Sequence, residues 1–387
     1  MNPFKKQKRD NDITSDIDRS VLNFDLEKIC SVKLTSNNIY CCLKCGKFFE
    51  GRSNSSPAYN HFIQTFHSKY LNLTTKKFYT LPEKNEIETT IGLQDIIENL
   101  EPRYKKEDIE TLPRISFDLN DKKYMVGYVG LHNVNNSDYL NVIIQMFAHV
   151  KPIRDYYLLY ESETNNLENK LALLIKKIWS PLLFKSQVSP VELVNSLKKD
   201  FHHLPKQFLV WLLNKGHFQN TFQGSIEITT IPIDSHELNN KVEFIRVDNK
   251  KKLVESKFWL LSLNVPLNTL HENNKRVDLQ DLMIKYSGEE VQEEKCIKIY
   301  KITKLPKYLI ISFEKSQNSA IVNFPETLKV NSSNYQLISS IKKADGWSIS
   351  LKTKEDTWLD MKDTKVESTK KDLLHLSDNY IQVWELI

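Results

Sequence analysis

The pair Cys42-Leu43-Lys44-Cys45 is followed after fifteen residues by His61, and after five more by His67. Two cysteines separated by two residues form a tight knuckle. Two histidines this far apart sit one to two turns along a helix, so the spacing predicts a helix over Tyr59–His67 facing the knuckle. Two thiolates and two imidazoles so placed make a tetrahedral zinc set, one ion per chain, with no position left for substrate or water. Zinc held this way contributes on the order of 10 kcal/mol to the folding of a small module. These four residues therefore dictate the fold around them, in a structural role. The other cysteines are Cys30, Cys41 and Cys296. Four of the five lie near the N-terminus, and in a reducing compartment such bunching favours metal over disulfides.

A second stretch constrains the rest. The polar residues Asn133, Asn135, Asn136 and Ser137 lead into Tyr139, Leu140, Val142, Ile143, Ile144, Met146, Phe147 and Val150. The apolar positions cover more than one helical face, which predicts a buried helix ended by Pro152. A polar loop entering a buried helix is where a cysteine hydrolase holds its nucleophile, because the helix dipole and free N–H groups stabilise a thiolate. Asp138 stands at that entry, and an Asp there is expected to act as a helix N-cap, worth roughly 0.5–2 kcal/mol. Further on, Leu167, Leu171, Leu174, Ile175 and Ile178 form an amphipathic stripe. Ser189-Pro190-Val191-Glu192 reads as a capping box, and Pro205 to Gly216 as a helix with its stop signal. Before the Asn133 loop, Thr90 is placed to cap a helix over Ile91–Leu100, and the charged run Glu101–Lys123 reads as a linker. After Gly224 the pattern turns to strands: Ile226–Ile233, Val242–Val247, Phe258–Val265, Tyr308–Phe313, Tyr335–Ile341, Trp347–Leu351 and Tyr380–Leu386. Helices first and strands afterwards indicate an α+β fold and not a doubly wound parallel sheet.

Composition closes off other classes. The chain of 387 residues is long enough for two or three domains. Its 54 Lys+Arg against 49 Asp+Glu leave +5, too mild to argue nucleic-acid binding, so direct RNA contact stays open. With 9 glycines and no phosphate-loop or dinucleotide fingerprint, nucleotide chemistry is disfavoured. No apolar run has the length of a membrane span and Met1–Asp12 is polar, so a soluble intracellular protein is expected. Lys5-Lys6-Gln7-Lys8-Arg9 reads equally as a nuclear localisation signal or as an ordinary charged tail.

Both constraining stretches resemble one family. Gly130 to Asn141 is similar, in register, to the cysteine box of the ubiquitin-specific proteases, Gly-Leu-x-Asn-x-Gly-Asn-Thr-Cys-Tyr-Leu-Asn. The resemblance puts Asn133 at the oxyanion-hole Asn, Asn135 at a turn Gly and Asp138 at the nucleophilic Cys. Gly346-Trp347 aligns with the Gly-His of the histidine box and Trp358 to Asp363 with Trp-Tyr-x-Phe-Asp-Asp. Trp347 then replaces the general base and Lys362 the orienting Asp, or Asp363 does the orienting if the register slips by one. No histidine lies between Gly346 and Asp363. The Leu305-Pro306-Lys307-Tyr308-Leu309-Ile310-Ile311 strand and Asn323-Phe324-Pro325 extend the likeness.

Cys45 to Arg52 with Pro57 to His61 resembles the ubiquitin-protease-type zinc finger, with Glu50 and Pro57 in place of ligands of its other metal site and Cys30 as a remnant of that site. In ubiquitin-binding members an Arg and aromatic rings grip the ubiquitin C-terminus. Arg52 matches that Arg, Tyr40 and Tyr79 could supply the rings, and Asn54 falls where another aromatic is usual.

The implied fold is a small zinc-binding α/β finger, then a papain-like thumb, palm and fingers domain. The expected layout is a basic disordered tail at 1–16, the finger at 17–104, a linker at 105–123 and the protease-like domain at 124–387. This combination resembles the inactive, tri-snRNP-associated ubiquitin-protease-like splicing factors. It implies a nuclear, non-catalytic role in assembling or maintaining the U4/U6.U5 tri-snRNP through protein contacts. The alternatives are a receptor that binds ubiquitin or a ubiquitin-like protein without cutting it, and an isopeptidase with displaced catalytic residues.

Overall fold

The computed structural model describes residues 16–88, 92–112, 114–162, 166–197, 201–238, 241–268, 275–293, 295–316, 318–374 and 378–387. The Lys5–Arg9 cluster, Thr90 and Ile91 lie outside the described residues. The chain divides into two compact units, Met1–Ser137 with Phe147–Asp200 and Asp363–Val366, and Asp138–Met146 with Phe201–Lys362 and Glu367–Ile387.

In the first unit a four-stranded antiparallel sheet runs in the order Phe48–Glu50, Ile39–Cys42, Lys69–Asn72, Phe78–Thr80. The period of two divides its side chains cleanly. Tyr40, Cys42, Phe49, Tyr70 and Tyr79 face one side and pack with Ala58 of the helix Pro57–Thr65. Ile39, Cys41, Phe48, Leu71 and Phe78 face the other, under Leu22, Phe24, Ile96, Leu100 and Phe184. The helix that supplies Ile96 spans Gln94–Leu100, starting three residues later than the pattern predicts, and Leu93 precedes it with no side-chain cap. Its first turn is fixed instead by the buried Asp95, which takes the guanidinium of Arg19 (Nη2 to Oδ1 3.0 Å).

The expected linker is folded. It carries the helix Lys106–Glu110 and the strand Ile115–Phe117, paired with Lys123–Met125. Ile109, Leu112 and Asp118 are buried, and Tyr104 Oη donates to Lys176 O at 2.8 Å. The abundance of charge is misleading here because a few well-placed apolar residues suffice to anchor a short segment. No boundary separates the finger from the helices of the same unit. Lys177, on the helix Leu167–Ile178, donates from its buried ammonium to Phe24 O (3.0 Å) and Asp25 Oδ1 (2.6 Å). The other oxygen of Asp25 accepts the Ser189 N–H at 2.9 Å. Ser189 is therefore not the N-cap of the next helix, Val191–Ser196, whose N-cap is Pro190. Asp25 holds the backbone that the capping box was expected to hold.

The second unit is mostly sheet. The 15-residue strand Gly224–Leu238 pairs on one side with Lys241–Arg246 and Lys252–Phe258, and on the other with Cys296–Lys304. A larger sheet contains, in order, Leu261–Asn264, Tyr308–Glu314, Asn379–Leu386, Ser333–Ala344, Gly346–Lys352 and Trp358–Lys362. Only the first pair in this run is parallel. The helix Pro205–Lys215 ends at Gly216 as its signals predict. The helix Asp138–His149 stops at Val150, and Pro152 belongs to the first turn of the next helix, Lys151–Leu159. There its fixed φ is favourable and no N–H is missed.

Trp384 is the centre of the second unit's core, 0 % exposed among Leu309, Phe324, Leu337 and Trp358. Trp384→Ala should lower the stability of this unit by about 3–5 kcal/mol, a cost set by lost burial plus the cavity left behind. The measurement is the shift of its chemical denaturation midpoint.

Candidate functional site

Strand geometry and one helix assemble the metal centre. Along Ile39–Cys42 successive side chains alternate, so Cys41 enters the back core while Cys42 faces the helix Pro57–Thr65. Gly46 turns the knuckle with φ +72°, and a Cβ there would lie 2.3 Å from Val21 O. Only glycine combines that backbone angle with that approach. Ser56 caps the helix through its hydroxyl, with Pro57 in the first turn. The helix ends at Thr65. His67 is thus not on it as predicted, but comes after Phe66, whose left-handed backbone (φ +60°) swings the chain back.

The four side chains meet. Cys42 Sγ lies 3.5 Å from His67 Nδ1, Cys45 Sγ 3.4 Å from His61 Nε2, and His61 Nε2 3.2 Å from His67 Nδ1. All four ligand atoms fall within 4.8 Å of one another. Tetrahedral zinc, with Zn–S near 2.3 Å and Zn–N near 2.0–2.1 Å, requires S···N of about 3.5 Å and N···N of about 3.3 Å. The residues fit the ion. Burial pushes the Cys42 thiol up to about 12, so a cation is needed to hold it as thiolate. Burial, and then the neighbouring charges of His67 and Lys47, push His61 down, which keeps the imidazole neutral and able to ligate. Cys30 is fully buried, and its Sγ accepts the Glu50 N–H at 3.3 Å. The Glu50 carboxylate accepts from Thr35 Oγ1 at 2.6 Å.

The three residues of the expected ubiquitin-tail pocket do come together. The Arg52 guanidinium lies 4.0 Å over the Tyr79 ring and donates to Lys84 O at 2.8 Å. Tyr40 meets Tyr79 edge-on at 5.8 Å, and both rings are buried. Lys84 bonds Asn54 and lies over Tyr59.

In the second unit, Asp138, Trp347 and Lys362 also converge. Asp138 is the first residue of its helix and not the N-cap, which is Ser137. Ser137 Oγ accepts the Val134 N–H (3.0 Å), tightening a loop in which Asn135 and Asn136 adopt positive φ and Asn133 is exposed. Asn tolerates the left-handed region that the loop needs. Asp138 Oδ1 accepts the Tyr139 N–H and Oδ2 the Trp347 N–H, each at 2.9 Å. Gly346 makes the second bond possible: at φ +121°, a Cβ there would stand 3.1 Å from Asp138 Oδ2 and 3.8 Å from Lys362 Cε. The alignment of Gly346-Trp347 with the Gly-His box names this glycine but not its role beside Asp138. Trp347 is nearly buried, packed edge-on against Tyr380 at 5.1 Å, with its indole N–H on His203 O at 3.0 Å. A histidine is therefore present, but it gives Trp347 its backbone oxygen. Asp363 turns out of the strand at φ +50°, and its carbonyl accepts the Leu131 N–H. Cys296 Sγ faces Glu293 Oε2 at 3.9 Å.

A zinc finger of this geometry, in a chain that continues as helices and then sheet, defines the class. The sequence matches the family described as a Zn-finger in ubiquitin-hydrolases and other protein over residues 29–91, and the ubiquitin carboxyl-terminal hydrolase family over 129–384. The chain belongs to the ubiquitin carboxyl-terminal hydrolase family and carries a ubiquitin-hydrolase zinc finger. It is 30% identical to the pre-mRNA-splicing factor SAD1 of Saccharomyces cerevisiae, over 95% of this chain and 91% of that protein. It is also 30% identical to the probable mRNA-splicing protein ubp10 of Schizosaccharomyces pombe (95% and 87%), and 32% to human ubiquitin carboxyl-terminal hydrolase 39 (95% and 78%). The crystal structure of an essential yeast splicing factor superposes with a TM-score of 0.83 at 28% identity, covering 96% of this chain and 98% of that one. The Ubp8 deubiquitinating module bound to monoubiquitin matches at TM-score 0.53 and 15% identity, covering 99% and 93%, which shows the shared fold.

The metal centre carries a direct prediction. The purified chain should contain one zinc, and Cys42→Ser should lose it together with the finger's cooperative unfolding, since binding on the order of 10 kcal/mol is folding energy here. Metal analysis with a thermal melt checks both; a stoichiometry near two would mean that Cys30 helps to hold a second ion.

Proposed function

We propose that the chain is a non-catalytic, nuclear pre-mRNA splicing factor that supports assembly or maintenance of the U4/U6.U5 tri-snRNP through protein contacts. The observation that carries this reading is the likeness, along nearly the whole chain, to proteins named as splicing factors. What supports the absence of catalysis is the Asp138–Trp347 contact. On our alignment, Asp138 stands for the nucleophile, Trp347 for the base and Lys362 for the orienting acid, with Asn133 the remaining oxyanion residue. A carboxylate bonded to backbone cannot form a thioester intermediate, and its charge opposes a developing oxyanion. An indole has no basic nitrogen to take a proton. Loss of a nucleophile or base alone removes roughly a millionfold in a triad enzyme. A ubiquitin receptor is the second reading, favoured by Tyr40, Arg52 and Tyr79 meeting in the finger. Titration with ubiquitin, whole and lacking its last two residues, separates it from a pure scaffold. The layout we propose keeps the finger at 17–104 and the hydrolase-like domain from 124, with 105–123 as a folded connection.

Two outcomes test the reading. Asp138→Cys should remain inert toward a ubiquitin probe with a C-terminal electrophile, because Trp347, which stands at the base position, has no nitrogen that can take the new thiol's proton. Rapid labelling would overturn the assignment of Trp347. Depleting the protein should deplete assembled U4/U6.U5 particles on native gels and accumulate unspliced pre-mRNA; normal particle levels after complete depletion would remove the splicing assignment.

A further inference from the structure

The zinc-finger helix Pro57–Thr65 contains no charged residue. One side of it buries Pro57 and Ala58. Tyr59 and Phe62 pack half-buried against the same core, and beyond them the end of the helix exposes Ile63 and Phe66. Tyr59 and Phe62 stand 6.2 Å apart, Phe62 and Phe66 6.3 Å apart, and Ile63 lies beside them. Exposure grows along the row, to 54 % at Ile63 and 79 % at Phe66. A single exposed apolar residue needs no explanation, but a continuous row does. Phe66 adds a second anomaly, because its backbone is left-handed (φ +60°), a conformation that costs an L-residue with a ring and favours Gly or Asn. Neither burial nor backbone preference explains a phenylalanine there.

The surroundings are basic. Lys44 and Lys47 lie exposed on the knuckle, flanking Cys45, whose Sγ is 3.4 Å from His61 Nε2 on this helix. Lys84 reaches over Tyr59 from the other end of the row, 5.5 Å from the ring centroid. Glu50, the nearest acid in the knuckle sequence, is turned to Thr35 and Lys33. Two thiolates cancel the charge of a zinc ion, so the lysines set the local potential. We propose that the Phe62–Ile63–Phe66 face is a docking surface for an acidic peptide segment of a protein partner. A bulky apolar side chain of the partner seats on the rings while its carboxylates meet Lys44, Lys47 and Lys84. The surface does not use Tyr40 or Tyr79, whose rings are buried in the sheet. It stands independently of the splicing assignment.

The test uses the full-length protein in cells with a benzophenone amino acid in place of Phe66, and the cross-linked peptide mapped by mass spectrometry. The expected product is one partner segment in which Asp and Glu outnumber Lys and Arg. Lys44→Glu with Lys47→Glu should lower the yield about tenfold. Phe66→Gly should abolish co-purification of that same partner while leaving zinc content unchanged and the melting temperature equal or higher, because glycine relieves the backbone. A residue with a purely structural role would show the reverse, with lower stability and intact association, and that result overturns the proposal. So does a cross-link to a neutral or basic segment, to RNA or to a second copy of the chain, or a yield no greater than that from the same probe at exposed Leu253.

Discussion

The carboxylate of Asp138 accepts backbone N–H groups from Tyr139, beside it in the chain, and from Trp347, 209 residues away. Much of the second unit's arrangement at this point depends on that pair of bonds. A negative charge in the first turn of a helix is favoured by the helix dipole, by about 0.3–1 kcal/mol when exposed and more when partly enclosed. The strand Gly346–Lys352 is drawn onto the same charge, and it can approach because residue 346 has no side chain. With Trp347 held by its backbone on one side and by His203 O on the other, its ring settles against Tyr380. The same helix entry that would stabilise a thiolate here stabilises a hydrogen-bonded carboxylate.

The finger shows a parallel economy of ligands. One complete tetrahedral set remains at Cys42, Cys45, His61 and His67. Around Cys30 and Glu50, N–H···S and O–H···O contacts hold the backbone. Those contacts suffice because the back of the sheet is a large apolar core, closed by Leu22, Phe24, Ile96 and Phe184. The front of the sheet holds fewer apolar residues against the short helix. There the metal is needed.

The finger is also not a separable bead. The buried Lys177 ammonium joins Phe24 and Asp25 to the helix Leu167–Ile178, and a buried cation left without that carboxylate would be strongly unfavourable. Asp25 then fixes Ser189 with its second oxygen. These bonds join the finger to the helices of the first unit.

The metal ligands, the α+β order of elements, the helix after Ser137 and the strands around Tyr308, Trp347 and Tyr380 were all legible in the residues. Each is a local pattern: ligand spacing, a period of two or 3.6, or a polar-to-apolar switch. The resemblance at Gly130–Asn141 and Gly346–Asp363 also named the residues that would converge. What local pattern could not reveal was how each of them is used. Asp138 looked like an N-cap because Asp commonly is one; its carboxylate accepts the neighbouring Tyr139 N–H and the Trp347 N–H far along the chain, where Gly346 leaves room. Ser189 looked like a capping residue until Asp25 took its N–H. His67 was assigned to a helix that ends before Phe66, and 105–123 was read as a linker because its charges outnumber the few apolar residues that anchor it. For Asp138, Ser189 and 105–123 the deciding partner lies far along the chain, and only the folded backbone brings it within hydrogen-bond distance. For His67 it is the left-handed turn at the neighbouring Phe66.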